Sequence, residues 1–336
     1  MKERIIWLDN IRASACILVV ILHTVSMYVI KFDKNGIEWH TANIIDSISR
    51  ICVPLFFMIS GFIFMRKKEV KIKNITKLLS NLALYTFIAA IYLVLFKEKT
   101  IGYVFSPIIF FNSIEKPVFY HLWFFYDLLI CYFIFSILSI KDTNPKSLMA
   151  ASFILFILFN PTTSNLTSNL FGFSYEGILS INDQILFYVL YGALGASIGS
   201  LDIKHKYAYY FLFIFILTSL MTAYLTYQVS LERGKFSSVF YNYTSLLVMV
   251  SSLSLFSFIK AKGNSFNIFG NATKFIAAAS LPIYGIHAFI LEWLLDAHID
   301  KYITPLGIPL TFIIVFIPSM MFGMLLMKID KKKIFS

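Results

Sequence analysis

Charge is what this chain has least of. Only 14% of its 336 residues are charged, against about 25% in a soluble domain of ordinary composition. With 58% hydrophobic residues and a mean hydropathy of +0.76, that deficit excludes a water-soluble globular fold and points to a polytopic, all-α membrane bundle. Cysteine is scarce too. Cys16, Cys52 and Cys131 all fall inside apolar runs and show neither pairing nor ligand spacing, so no disulfide framework or zinc site is expected and each reads as a small buried hydrophobe. No small-residue cleavage site follows the first apolar run, which is therefore expected to remain as a span. Solenoid-length repeats are missing, and every loop is short, so residues 1–336 are expected to form one integral-membrane domain without a soluble one. No nucleophile-elbow pattern supports a Ser-His-Asp triad. Three membrane histidines without clustered carboxylates do not make a metal site.

What is present is a series of ten apolar runs, expected as crossings at 10–30, 44–65, 78–96, 121–140, 147–160, 185–201, 208–228, 241–259, 275–295 and 305–327. The fifth is short for a full span. An even number puts both termini on one side, and the positive-inside rule makes that side cytoplasmic. Of the Lys and Arg residues, twenty then lie on inner segments, eight on outer ones, and Arg50 within the second helix. The formal net charge of +11 is thereby explained by topology, with membrane lipid as the partner and no nucleic acid. Trp7 is expected at the inner face, and Trp39, Trp123 and Trp293 at the outer face, where amphipathic rings settle. The basic inner loop Arg66–Asn74 suits either the phosphates of a nucleotide-bearing donor or anionic lipid. The outer loop 161–184, rich in Ser, Thr and Asn, reads first as a solvated connector.

Against this apolar background a few polar side chains stand out. Arg12 and His23 share the first span, eleven residues apart; at about 100° per residue both leave one face, separated by roughly 16 Å along the axis. Ionisable groups at that depth normally face a protein interior or wet cavity and mark function, although a cytosolic anchor and a packed imidazole would give the same spacing. Arg50 is expected to pair with Asp46, four residues earlier on the same face. Pro54 removes a backbone hydrogen bond, and Ser60-Gly61 permits close helix approach. His121 and Trp123 open the fourth helix at its outer mouth, where an incoming substrate would be met. In the ninth, Pro282 is expected to bend the helix and Gly285 to thin it near His287. Glu292, about 140° further round, is not a simple partner for that histidine. A neutral imidazole in an apolar pocket can take a proton from an alcohol, which acyl transfer onto a hydroxyl requires.

Four fragments in order, Leu8-Asp-Asn-Ile-Arg12 with ten residues before His23, Arg50-Ile-Cys-Val-Pro-Leu-Phe-Phe-Met-Ile-Ser-Gly61, His121-Leu-Trp-Phe and Leu281-Pro-Ile-Tyr-Gly-Ile-His287, resemble the integral-membrane acyltransferase family three. The resemblance covers nearly the whole chain. It implies a ten-helix bundle in the plasma membrane of a bacterial cell, carrying acetyl groups from cytoplasmic acetyl-CoA to a hydroxyl of a cell-envelope glycan or related acceptor at the outer face. Carried over, Arg12 lies at the donor end and His23 is the catalytic base, with Ser60, Arg50, His121, Trp123 and His287 as substrate-binding candidates. Many relatives carry an additional soluble domain, so a separate extracytoplasmic transferase is an expected partner. The rival reading is a transporter or exporter of a small polar solute or glycan, which a mid-membrane histidine, Arg50 and a bent helix would also suit. No inverted repeat in the crossings favours it.

Overall fold

In a bilayer each backbone N–H and C=O must be satisfied within its own segment, so apolar runs of this length fold as helices. The structure, a computed structural model, describes residues 5–104, 116–138, 140–161, 183–297, 307–332 and 334–335; most of the outer loop 161–184 and part of 97–120 lie outside the described residues. Its main helices are α1 (Ile6–Val29), α2 (Ile37–Ser49), α3 (Cys52–Gly61, running on as a π turn, Phe62–Lys67), α4 (Ile72–Phe96), α5 (Trp123–Ile137), α6 (Pro145–Phe159), α7 (Gln184–Ser200), α8 (Ala208–Arg233), α9 (Leu246–Lys262), α10 (Ala272–Ala278), α11 (Ser280–Asp296) and α12 (Gly307–Ile329). Seven helical segments among the described residues are long and apolar enough to cross a membrane, or eight with the bent pair α10–α11; α6 and α7 are shorter apolar helices. The protein is an all-α, multi-pass membrane bundle. Its segments follow the ten runs expected from sequence.

Two prolines set where the helices break. Proline lacks the N–H for the bond to residue i−4 and its ring crowds that carbonyl. Residue i−4 of Pro54 is Arg50, and the second crossing is indeed divided there, α2 ending at Ser49 and α3 starting at Cys52. Residue i−4 of Pro282 is Ala278, the last residue of α10, after which the chain turns by 76° into α11. The bend expected at Pro282 thus falls one turn earlier, with the proline inside the first turn of α11, where a missing N–H costs nothing. Other ends follow local chemistry. Asn144 and Asp183 cap α6 and α7 with their side chains, Pro145 fills the first turn of α6, and Gly234 closes α8 at φ 64°.

α1 is the mast of the bundle, in contact with α2, α3, α9, α10, α11 and α12. Beside it α3 and α7 approach backbone to backbone: a Cβ on Gly195 would stand 2.2 Å from the Met58 carbonyl oxygen, and one on Gly61 would meet the backbone of Gly192. Small residues permit this approach where lipid gives no hydrophobic drive to association.

The two ends differ in charge. At one end Lys260 lies over the Trp7 ring, Arg66 donates to Ser200 Oγ at 3.0 Å and to the carbonyl of Thr143 at 2.7 Å, Lys141 pairs with Glu69 at 2.9 Å, and Asn81 donates to the carbonyl of Ile334. The segments expected inside meet there. At the other end Trp39 Nε1 donates to Val29 O, Asn160 to Thr244 O, and Lys97 pairs with Asp296 at 2.6 Å. The positive-inside rule would set this basic end in the cytoplasm.

Candidate functional site

Three imidazoles converge in the bundle. His23 comes from α1, His121 from the 3-10 turn Tyr120–Leu122 that leads into α5, and His287 from the second turn of α11. Ring centres of His23 and His287 are 5.1 Å apart, those of His121 and His287 5.5 Å, and Tyr120 stands 5.5 Å from His23. His121 and His287 are fully buried; His23 is half-buried. Their bonds fix two tautomers. His121 Nε2 donates to the carbonyl of Gly285 at 3.1 Å and His287 Nδ1 to the carbonyl of Tyr284 at 2.6 Å; a carbonyl only accepts, so each of those nitrogens carries the proton. The other nitrogens, His121 Nδ1 and His287 Nε2, are lone-pair acceptors, buried and without a hydrogen-bond partner among the described residues. The Tyr284 hydroxyl donates to the carbonyl of His121. Tyr85, fully buried, lays its ring against the bare Cα face of Gly285, and its hydroxyl too has no partner among the described residues.

Below this cluster, towards the basic end, lies a cavity of about 430 Å³, whose polar wall is formed by Arg12, Ser60, Asn74, Lys77, Tyr132 and Tyr284. That volume is in the range of small-molecule sites. Arg12 keeps Asp9 at 3.8 Å, a distance at which the guanidinium retains free donors for a guest. The lining includes Arg12 but not His23. Tyr284 belongs to both places, walling the cavity while its ring lies 5.5 Å from that of His287. Tyr284 is thus the side chain that the Arg12 cavity and the histidine cluster share.

The remaining candidates separate. Arg50 makes the expected pair with Asp46, Nη2 to Oδ2 at 2.8 Å and Nε to Oδ1 at 2.7 Å, and lies 4.2 Å from the Tyr241 ring centre. Removing either partner would strand a buried charge. Trp123 is stacked on Tyr188, 6.0 Å between centres, and equally close to Tyr243, in an aromatic group apart from the imidazoles. Glu292 pairs with Lys97 at 3.4 Å at the outer end. Hydrogen bonding to Asp296 holds the Lys97 ammonium above its ordinary value. At the inner end, Lys141 holds the Glu69 carboxyl below its ordinary value, chiefly by a hydrogen bond. Sequence reasoning passed over Tyr284, Tyr120, Tyr85 and Lys77, and reached Asn74 only as the end of the basic loop. The nearest signal was position: Tyr284 precedes His287 by three residues on one helix face, and Tyr120 adjoins His121.

An all-α membrane bundle with a cation-lined cavity on its basic side and imidazoles beyond it belongs to the polytopic proteins that handle polar substrates within the bilayer. The family model described as "Acyltransferase domain" matches residues 5–328, and the chain belongs to that family: it is a membrane acyltransferase. Neither the curated proteins nor the solved structures contain a match to it.

Proposed function

We propose that the protein is an O-acyltransferase of the plasma membrane of a bacterial cell, moving an acetyl group from cytoplasmic acetyl-CoA to a hydroxyl of a cell-envelope glycan or related acceptor. The observation that carries this reading is the order of parts along the bundle axis. The cavity with Arg12 and Lys77 lies towards the basic end, where an anionic donor arrives, and His23 lies outside it, beside His287, whose ring Tyr284 touches. Arg12 holds the polar part of the donor, with Ser60 beside it, and the thioester is presented inward. His23 takes the proton of the acceptor hydroxyl while the oxygen attacks the acyl carbon. The thiolate leaves with that proton, so His23 ends neutral. Trp123 and His121 are the candidate acceptor contacts, and Arg50 shapes the site through Asp46. Hand-over of the acyl group to a separate extracytoplasmic transferase is the alternative to direct transfer.

The test is His23→Ala in membranes of expressing cells fed labelled acetyl-CoA. Transfer of label to the envelope is expected to fall by about 10²–10⁴-fold, the worth of a positioned general base, at unchanged protein level. Undiminished transfer would remove His23 from the mechanism. The break between α10 and α11 is also a device of transporters, and binding of acetyl-CoA by the purified protein separates the readings, since a transporter of another solute has no use for it.

A further inference from the structure

The proposed chemistry uses one imidazole and leaves another unexplained. His287 is 0% exposed, and its Nε2 lone pair has no hydrogen-bond partner among the described residues. A buried acceptor without a donor costs about 1–3 kcal/mol, so a donor is to be sought among its neighbours. Three rings pack on it: His23, His121 and Tyr284. The N–H of His121 is spent on Gly285 O and the O–H of Tyr284 on His121 O. Only His23 has an N–H left to give. With ring centres 5.1 Å apart, a small rotation of the His23 ring closes an N–H···N contact of about 3 Å.

We infer that His287 is a positioning residue acting through His23: its buried Nε2 receives one N–H of His23, which aims the other nitrogen at the acceptor hydroxyl and stabilises the imidazolium formed during transfer. The inference rests on His23 being the base. In that step the acceptor proton moves to His23, the new C–O bond forms, the C–S bond breaks, and the thiolate departs with the proton. His287 gains and loses none, holding the second N–H throughout. Burial keeps Nε2 from the acceptor itself. A neutral imidazole in the place that a carboxylate fills in Ser-His-Asp sites orients the base without adding a negative charge inside the bilayer, where charge is expensive. Among the described residues, Arg50, His121, His287 and Tyr120 are the charged or titratable groups that face His23.

The experiment pairs two variants that divide the side chain's two bonds. His287→Asn keeps a donor to Tyr284 O and lacks the Nε2 acceptor; His287→Gln sets an acceptor oxygen where Nε2 stands and gives up the bond to Tyr284. Both are assayed beside His23→Ala in membranes of expressing cells with labelled acetyl-CoA. The Asn variant is expected to lose about 10- to 100-fold in kcat, the equivalent of one hydrogen bond to a charged group, at unchanged KM for acetyl-CoA. The acidic limb of its pH–rate profile is expected at lower pH, because the charged form of His23 has lost a partner. The Gln variant is expected to keep most of the rate and the position of the limb. The reverse order, or Asn within twofold of the parent, overturns the inference and marks the bond to Tyr284 as the whole role of His287. Activity surviving in His23→Ala would instead overturn the base assignment itself.

Discussion

Gly285→Ala tests whether the helix break and the histidine cluster are one device. A methyl group at that position would lie 2.1 Å from Tyr85 Cζ and 2.3 Å from Cε1 and Cε2, against the tip of a fully buried ring. That is more than 1 Å inside ordinary contact between carbons, about 3.5–4.0 Å. Overpacking of this kind costs about 1–3 kcal/mol. The greater helix preference of alanine returns about 0.5–1 kcal/mol, leaving a net loss of about 1–2 kcal/mol. The same methyl displaces the Gly285 carbonyl that accepts from His121 Nε2, so transfer is expected to fall along with the melting temperature of the purified protein in detergent. Replacing Tyr85 with Leu removes the obstruction. In that background Gly285→Ala is expected to be neutral or to gain about 0.5–1 kcal/mol, so the two substitutions couple by about 2 kcal/mol, as residues in contact do. An equal cost of Gly285→Ala in both backgrounds would refute the argument, because the penalty would then not come from the ring.

Two further outcomes follow from ion pairs. Arg50→Met strands Asp46, fully buried, and Asp46→Asn strands Arg50, so each alone is expected to cost about 3–5 kcal/mol, and replacement of both far less than the sum; thermal melts of the three variants check this. Glu69 has its carboxyl lowered by the hydrogen bond from Lys141, so its contribution is present above the ordinary carboxylate value and lost as pH falls through the lowered one. The melting difference between parent and Glu69→Gln is accordingly expected at neutral pH and absent in strong acid, and a difference that persists in acid would count against it.

The architecture was legible because its cause is local. Runs of apolar residues and their lengths foretold the bundle, and Lys and Arg do gather at one end of it. Even the weak fifth run became a helix, Pro145–Phe159. A bend was foreseen at Pro282 and only a lost hydrogen bond at Pro54; the structure breaks the helix at both, four residues before each proline, at the carbonyl the ring obstructs. The candidate site was legible only as an inventory. His23, His121 and His287 stand out as imidazoles in apolar runs, yet nothing in their spacing says that three helices bring them together. Arg12 and His23 share a face by periodicity, but only Arg12 lines the cavity, and a side chain from another helix, Tyr284, links that cavity to the imidazoles. The partner of Arg50 was found because it lies one turn away; that of Glu292, Lys97, lies on a distant segment and no local pattern reveals it.

The shared tyrosine has an electrical consequence. A continuous wet passage from Arg12 past His23 would short-circuit the bilayer, and each proton leaking down a 100 mV gradient dissipates about 2.3 kcal/mol. Tyr284 walls the inner cavity, lies against the His287 ring and bonds through its hydroxyl to the carbonyl of His121, so its replacement by a smaller side chain is the change expected to join the two places and raise proton leak.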